Sequence, residues 1–143
     1  MSTRSNIGVL LEDGTVQRVY CHWDGYPEHN GKILVEHYNS EKLAKELVSF
    51  GDISVLAKQI HPENYHSFDQ PDKDATVFYG RDRFEKGTEP QTITMEEWEN
   101  EPFTSCIQYY YLFKDGEWFF KNLYRKKSGW KLVKEELSVL NSA

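Results

Sequence analysis

The sequence lacks the features that mark membrane and secreted proteins. No apolar run approaches the roughly 18 residues that a membrane-spanning helix needs, and the N-terminus has no apolar segment of the signal-peptide type. The two cysteines, Cys21 and Cys106, are too few for a disulfide framework. We therefore expect two buried, reduced thiols in a soluble protein of the cytoplasm, with no membrane as partner.

Motifs that would identify a reaction or a metal are also missing. The five histidines show no H-E-x-x-H pattern and no paired C-x-x-C spacing. Cys106 has no neighbouring motif that would supply a base or bind an oxyanion. Repeats, low-complexity segments and linkers are absent too. The sequence thus predicts one domain over residues 1–143 with no cofactor, no metal site and no catalytic residue.

Acidic charge is in excess, and it is unevenly distributed. The formal net charge is −6, which argues against nucleic acid as the partner. Residues 85–101 hold six glutamates and one lysine, whereas residues 121–134 hold six basic residues and no acid. Both stretches can be ordinary solvated faces. The alternatives are an acidic patch that binds a basic protein and a basic patch that binds a polyanion.

Two β-hairpins are the clearest predicted elements. Residues 7–22 alternate between apolar and polar around Asp13-Gly14, and residues 106–124 do so around Asp115-Gly116. Two-residue turns at both sites define the register. The predicted pairs are Leu11 with Val16 and Ile7 with Tyr20 in the first hairpin, and Lys114 with Glu117, Phe113 with Trp118 and Leu112 with Phe119 in the second.

Apolar residues recur at helical spacing between the two hairpins and again near the C-terminal end. Ser40 and Gly51 are placed to cap and end one helix, and Thr94 with Glu97 forms a capping box. The predicted helices cover residues 31–38, 41–50, 53–60, 94–100 and 130–140. The fold class is α+β: an antiparallel sheet built from the two hairpins (residues 7–22 and 106–124) and a short strand near residues 75–79, packed against helices from residues 31–60 and a C-terminal helix.

Five sequence blocks resemble a family of small proteins carried by bacteriophages and prophages. The blocks are C-H-W-D-G-Y-P at 21–27, N-G-K-I-L-V-E-H-Y at 30–38, G-D-I-S-V-L at 51–56, Y-G-R-D-R at 79–83 and Y-L-F-K-D-G-E-W at 111–118. The resemblance implies an accessory protein made in the host cytoplasm during infection, and it implies no activity. One departure is local, since Phe84 stands where the family pattern has a glycine.

Residues 21–27 concentrate reactive side chains at the end of a predicted strand. An imidazole and a carboxylate at such a position can bind a ligand or exchange a proton. His22, Asp24 and Tyr26 are therefore candidate ligand-binding residues at the rim of a pocket. The alternative is structural: Asp24 satisfies backbone N–H groups in the turn, and Trp23 fills the core.

The segment Arg81-Asp82-Arg83 is the candidate anion site. Two guanidinium groups after a short strand can bind a phosphate or a carboxylate, with Asp82 holding one of them in place. The alternative is that one arginine pairs with Asp24 or Asp82 and only locks the loop. If this segment closes over residues 22–26, the two segments form one anion pocket.

Three functions are compatible with these features. The favoured one is a non-catalytic accessory protein that binds a host protein or a small anionic, nucleotide-like ligand and counters a host defence. The second is an enzyme acting on a phosphate-bearing small molecule, with His22 and Asp24 as acid and base. The third is nucleic-acid binding through residues 121–134, where Lys121 and Arg125 accompany the aromatic residues of the second hairpin. Exposed sheet edges leave a homo-oligomer open.

Overall fold

One mixed sheet organises the chain in the computed structural model, which describes residues 2–101, 106–125 and 129–141. The eight strands described are β1 (Ser5–Leu10), β2 (Thr15–Cys21), β3 (Ile53–Val55), β4 (Val77–Phe78), β5 (Gln91–Thr94), β6 (Tyr109–Lys114), β7 (Glu117–Asn122) and β8 (Lys131–Leu132). Their order is β4-β3-β2-β1-β6-β7-β8, and β5 pairs with β2. The α+β class and both hairpins are confirmed.

Helices cover the two faces of this sheet unequally. A π-helical turn over Pro27–Gly31 leads into α1 (Lys32–His37), followed by α2 (Glu41–Ser49), α3 (Tyr79–Arg83), α4 (Met95–Glu99) and α5 (Val133–Asn141). The main core lies between the sheet and α1, α2 and α5, with Ile7, Leu34 and Leu47 fully buried. On the other face, called here the second face, a smaller core forms around Trp98 of α4 and Val16.

The first hairpin forms as predicted, but its register differs by one residue. The N–H of Gly14 donates to the Leu11 carbonyl (3.0 Å) and the N–H of Leu11 to the Thr15 carbonyl (2.8 Å). The loop therefore has three residues instead of two, with Gly14 in the left-handed region at φ +87°. The observed pairs are Ile7 with Val19 and Leu10 with Val16, so the predicted pairs Ile7 with Tyr20 and Leu11 with Val16 are wrong.

The second hairpin has the predicted register. Asp115 and Gly116 have φ values of +53° and +79°, which is the backbone that a two-residue type I′ turn requires. All three predicted pairs are present, namely Lys114 with Glu117, Phe113 with Trp118 and Leu112 with Phe119.

The sheet itself is mixed, not antiparallel as predicted. β1 runs parallel to β6, and β2 runs parallel to β3. Each hairpin fixes only its own internal pairing. The helices between the hairpins supply the long connection that a parallel pairing needs, and they bring β6 back beside β1 in the same direction.

One predicted helix is wrong, and tertiary contacts explain the difference. The spacing predicts a helix over residues 53–60, yet Ile53 lies between Cys21 of β2 and Phe78 of β4, so the β-branched run Ile53–Val55 is a strand. The segment Arg81-Asp82-Arg83 lies in the helix α3, directly after β4. Cys21 is buried as expected, whereas the expectation that Cys106 is buried is wrong, because Cys106 is exposed. The helix α2 with its Ser40 cap, and α4 with its capping box, are confirmed. In the described part of the chain, no helix has the length and apolarity to cross a membrane.

We predict that Phe84→Gly stabilises the protein. Phe84 ends α3 with φ +60°, and 87% of its surface is exposed, so the substitution relieves a left-handed backbone and removes little packing. The free energy of unfolding should rise by about 0.5–1 kcal/mol in denaturant titrations. Phe84→Ala keeps the strained backbone and should give no gain. A loss of stability in Phe84→Gly would show that the phenyl ring packs.

Candidate functional site

His22 directly follows β2 and continues its pairing with β3. Its N–H donates to the Ile53 carbonyl at 3.0 Å, and the imidazole Nδ1 lies 2.6 Å from the Tyr20 hydroxyl oxygen. Partial burial and the nearby Arg4 guanidinium lower the pKa of His22. The imidazole is therefore neutral near pH 7, with one nitrogen already engaged by Tyr20.

The turn that follows is built from backbone contacts. Asp24 has φ +56°, and the N–H of Gly25 donates to the Thr3 carbonyl at 2.8 Å. The Tyr26 hydroxyl donates to the Asp24 carboxylate at 3.3 Å. The turn is thus structural, but two parts of the structural alternative for residues 21–27 are wrong. The Asp24 carboxylate accepts the Tyr26 hydroxyl, while it is the Asp24 backbone carbonyl that accepts the N–H of Asn30, at 3.3 Å. Trp23 does not fill the core, because 43% of its surface is exposed.

Arg81 is engaged by the protein itself. Its guanidinium donates to the carbonyls of Ile60 (2.6 Å) and Thr76 (3.0 Å) and to the Asp82 carboxylate (2.9 Å). The guanidinium carbon also lies 4.8 Å from the centre of the Phe78 ring. These contacts join α3, β4 and the loop before β4, so Arg81 has the loop-locking geometry of the alternative interpretation.

Asp82 completes this junction. The carboxylate accepts the Phe78 N–H at 2.8 Å, and its Oδ2 lies 3.1 Å from Nε2 of the buried His66. Burial opposes ionisation of Asp82, but hydrogen bonds from Arg81, the Phe78 amide and His66 outweigh it and lower the pKa of the carboxyl. Asp82 is thus an ionised acceptor inside the fold.

Arg83 is likewise paired. Its guanidinium donates to Glu85 at 2.7 Å and lies 4.4 Å and 5.1 Å from the ring centres of Phe68 and Tyr79. An anion at this position would compete with Glu85 and with both rings.

The structure separates His22 from Arg81. Cys21, Ile53 and Phe78 are cross-strand neighbours that point into the main core. His22 follows Cys21 and contacts Tyr20, so its side chain lies on the second face. Arg81 packs on Phe78, on the side of the helices. The two segments therefore do not bring these two side chains into one cleft.

A polar cavity that sequence reasoning missed lies on the second face. Its volume is about 150 Å³, and it is open on one side. The lining residues are Asn6, Arg18, Val19, Tyr20, Asp52, Gly87, Glu89 and Gln91. They come from β1, β2, the connection between α2 and β3, and the segment that leads into the first residue of β5, and no sequence motif joins them.

Asp52 is the half-buried acid of this cavity. Its Oδ1 accepts the Tyr20 N–H at 2.9 Å, and its own N–H donates to the Thr88 carbonyl at 2.8 Å. Burial raises the pKa of Asp52, the bond from Tyr20 opposes this, and the Glu85 and Glu89 carboxylates raise the pKa further. Two further carboxylates thus act on Asp52 and disfavour its ionisation, and one of them, Glu85, is paired with Arg83.

Arg18 is the cation in the wall of the cavity, and its charge is balanced by the carboxylate of Glu101. Two of its nitrogens donate to the Glu101 carboxylate at 2.5 Å and 2.6 Å, and the Gln91 side-chain oxygen accepts a further bond at 3.1 Å. Burial raises the pKa of Tyr20 to about 12, so this hydroxyl stays protonated. The cavity presents acceptors and negative charge, without a nucleophile.

Most aromatic residues of the second hairpin belong to the two cores. Tyr111 and Phe120 are buried beneath the helices, and Tyr110 packs on Trp98 on the second face. These buried rings cannot stack on a base. Phe119 lies outside both cores, and 53% of the surface of Tyr124 is exposed. Of the basic stretch 121–134, Lys134 pairs with Glu117, and Lys126 and Lys127 lie outside the described residues.

We predict that Arg81→Ala strongly destabilises the protein, because it leaves the Ile60 and Thr76 carbonyls without this donor and removes the cation beside the Asp82 carboxylate. The loss should be about 2–3 kcal/mol in chemical denaturation. Arg83→Ala removes a half-exposed pair and should cost less than about 1 kcal/mol. Equal small effects would contradict the structural role of Arg81.

Tyr111→Phe tests the contact at the turn after β2. The buried Tyr111 hydroxyl donates to the Gly25 carbonyl at 2.6 Å, and its loss leaves that carbonyl unsatisfied. We expect a decrease of about 1–2 kcal/mol in the free energy of unfolding. Tyr109→Phe, on the same strand and partly exposed, should change it by less than about 0.5 kcal/mol. Indistinguishable variants would contradict this prediction.

Among the described residues, no three His, Cys, Asp or Glu side chains lie close enough together to hold a metal ion.

Known proteins provide no assignment for the site. Comparisons of the chain with protein families, curated proteins and solved structures find no match.

Proposed function

We propose that this protein is a phage-encoded, non-catalytic accessory protein that binds a basic segment of a host protein. The binding surface is the acidic face, defined as the exposed side of residues 85–101 together with the mouth of the Asp52 cavity. The observation that carries this proposal is the cavity, whose carboxylates face a wall in which the arginine is already neutralised. The phage origin and a role against host defence rest on the sequence resemblance.

The acidic face has a fixed framework. Its strand β5 pairs with β2, and its helix α4 is anchored by the fully buried Trp98. A capping box stabilises the N-terminus of α4. The Thr94 side chain accepts the Glu97 N–H and the Glu97 side chain accepts the Thr94 N–H, both at 3.0 Å. A rigid acidic surface loses little conformational entropy on binding, which favours specific recognition over diffuse attraction.

Part of the negative charge on this face is available to a partner. Glu85 pairs with Arg83 and Glu101 with Arg18, whereas Glu89 and Glu96 form no ion pair among the residues that the structure describes. Such a surface attracts basic segments and repels phosphates. This favours a protein partner over the nucleotide-like ligand and the nucleic acid considered from the sequence.

Charge reversal tests the proposal. We expect fluorescein-labelled nona-arginine to bind the wild-type protein, with an affinity that falls as salt is added, in an anisotropy titration. Glu89→Lys with Glu96→Lys should weaken this binding by about tenfold or more. The matched control is Glu28→Lys with Glu36→Lys, which changes the net charge equally on the side of the π-helical turn and α1.

The control pair decides the interpretation. A loss confined to the Glu89 and Glu96 variant supports the acidic face as the binding surface. Equal weakening in both variants would mean that nona-arginine responds only to net charge, and absence of binding by the wild type at low salt would overturn the proposal.

A further inference from the structure

We infer that the polar cavity beside Asp52 is a receptor for one guanidinium or ammonium group, such as the head of an arginine side chain of the partner. The inference rests on the proposed function and names the group that the acidic face would recognise. The proposed function requires only an acidic surface, whereas this inference requires one cationic group to enter the Asp52 cavity.

Two carboxylates line the cavity, and in the described part of the chain one of them has an oxygen without a donor. Asp52 uses Oδ1 for the Tyr20 N–H, and Oδ2 has no hydrogen-bond donor among the residues that the structure describes. Glu89 lies in the wall of the same cavity. A planar cation with several N–H groups can donate to both carboxylates at once, which a single point charge does less well.

The cation in the wall does not satisfy this oxygen. The Arg18 guanidinium is directed to Glu101 and Gln91, where it makes four hydrogen bonds of 2.5–3.3 Å. The titratable groups in the lining are thus the acids Asp52 and Glu89, the neutral Tyr20 and the paired Arg18, with the uncharged Asn6 and Gln91 beside them. The Arg4 guanidinium acts on Tyr20 from outside the lining. An anion would meet two carboxylates, and a metal ion would lack a third close ligand among the described residues.

The size of the cavity and its backbone framework agree with this assignment. A volume of about 150 Å³ is far above the roughly 10–15 Å³ that a single water needs, and the cavity is partly open to solvent. The N–H of Asp52 donates to the Thr88 carbonyl at 2.8 Å, so the backbone that carries Asp52 is joined to the segment that carries Glu89. The backbone on both sides of the cavity is therefore fixed before a cation binds.

An NMR titration with ethylguanidinium tests the cavity without any peptide. We expect shift changes concentrated at the lining residues, and a fall in the pKa of Asp52 measured from its carboxyl carbon, because a bound cation favours the ionised form. Sodium chloride at the same ionic strength is the control. An equal response to sodium chloride, or changes spread over the whole surface, would overturn the inference.

A conservative pair of variants tests the same site with nona-arginine. Asp52→Asn retains an oxygen for the Tyr20 N–H and removes the charge, and we expect binding to weaken about tenfold. Glu28→Gln removes one charge on the side of the π-helical turn and should weaken binding less than about threefold. Chemical denaturation of both variants confirms that folding is retained.

The two proposals fail in different ways. If Glu89→Lys with Glu96→Lys abolishes peptide binding while Asp52→Asn leaves it unchanged, the acidic face stands and the cavity inference is overturned. If nona-arginine does not bind the wild type, the proposed function fails, and the ethylguanidinium titration judges the cavity separately.

Discussion

The buried side chain of Asn30 makes the contact on which the rest of the sheet depends. Its amide nitrogen donates to Cys21 Sγ at 3.3 Å and reaches Ser5 Oγ at 3.5 Å, so the first helical turn is tied to the ends of β1 and β2. Burial raises the pKa of the Cys21 thiol to about 12, which leaves it an inert part of this contact. Because unpaired polar groups are costly in a core, only one arrangement of these elements satisfies all of them.

This junction also explains why the two faces of the sheet differ. Alternation along β2 sends Cys21 into the main core and leaves Tyr20 and His22 on the second face. Of the helices after the junction, α1, α2 and α5 pack on the first side. On the second side α4 covers only the region around Val16, and the polar residues beyond it remain open to solvent as the Asp52 cavity.

Turn and helix-cap motifs predict the elements whose conformation depends on residues close together in the sequence. Asp115-Gly116 fixed the second hairpin because a two-residue turn leaves no freedom of register, and Ser40 and Thr94 marked helix starts that the structure confirms. Ile53 depends on partners that are distant in sequence, so its strand could not be predicted. The sequence of residues 21–27 indicates a site of unusual composition, but it does not predict the backbone hydrogen bond from Gly25 to Thr3 that shapes the turn. The Asp52 cavity unites four segments of the chain, and only the fold brings them together.

The parallel pairing of β1 with β6 has a consequence for the order of folding. β1 lies between β2 and β6, and Ser5 is opposite Tyr109. During synthesis the first hairpin is complete long before β6 has left the ribosome, so one edge of β1 remains unpaired while most of the chain is made. Such late, long-range closure slows folding and exposes an apolar strand edge. The edge of β1 is covered only when β6 pairs with it, so this edge stays open until the second hairpin has been made.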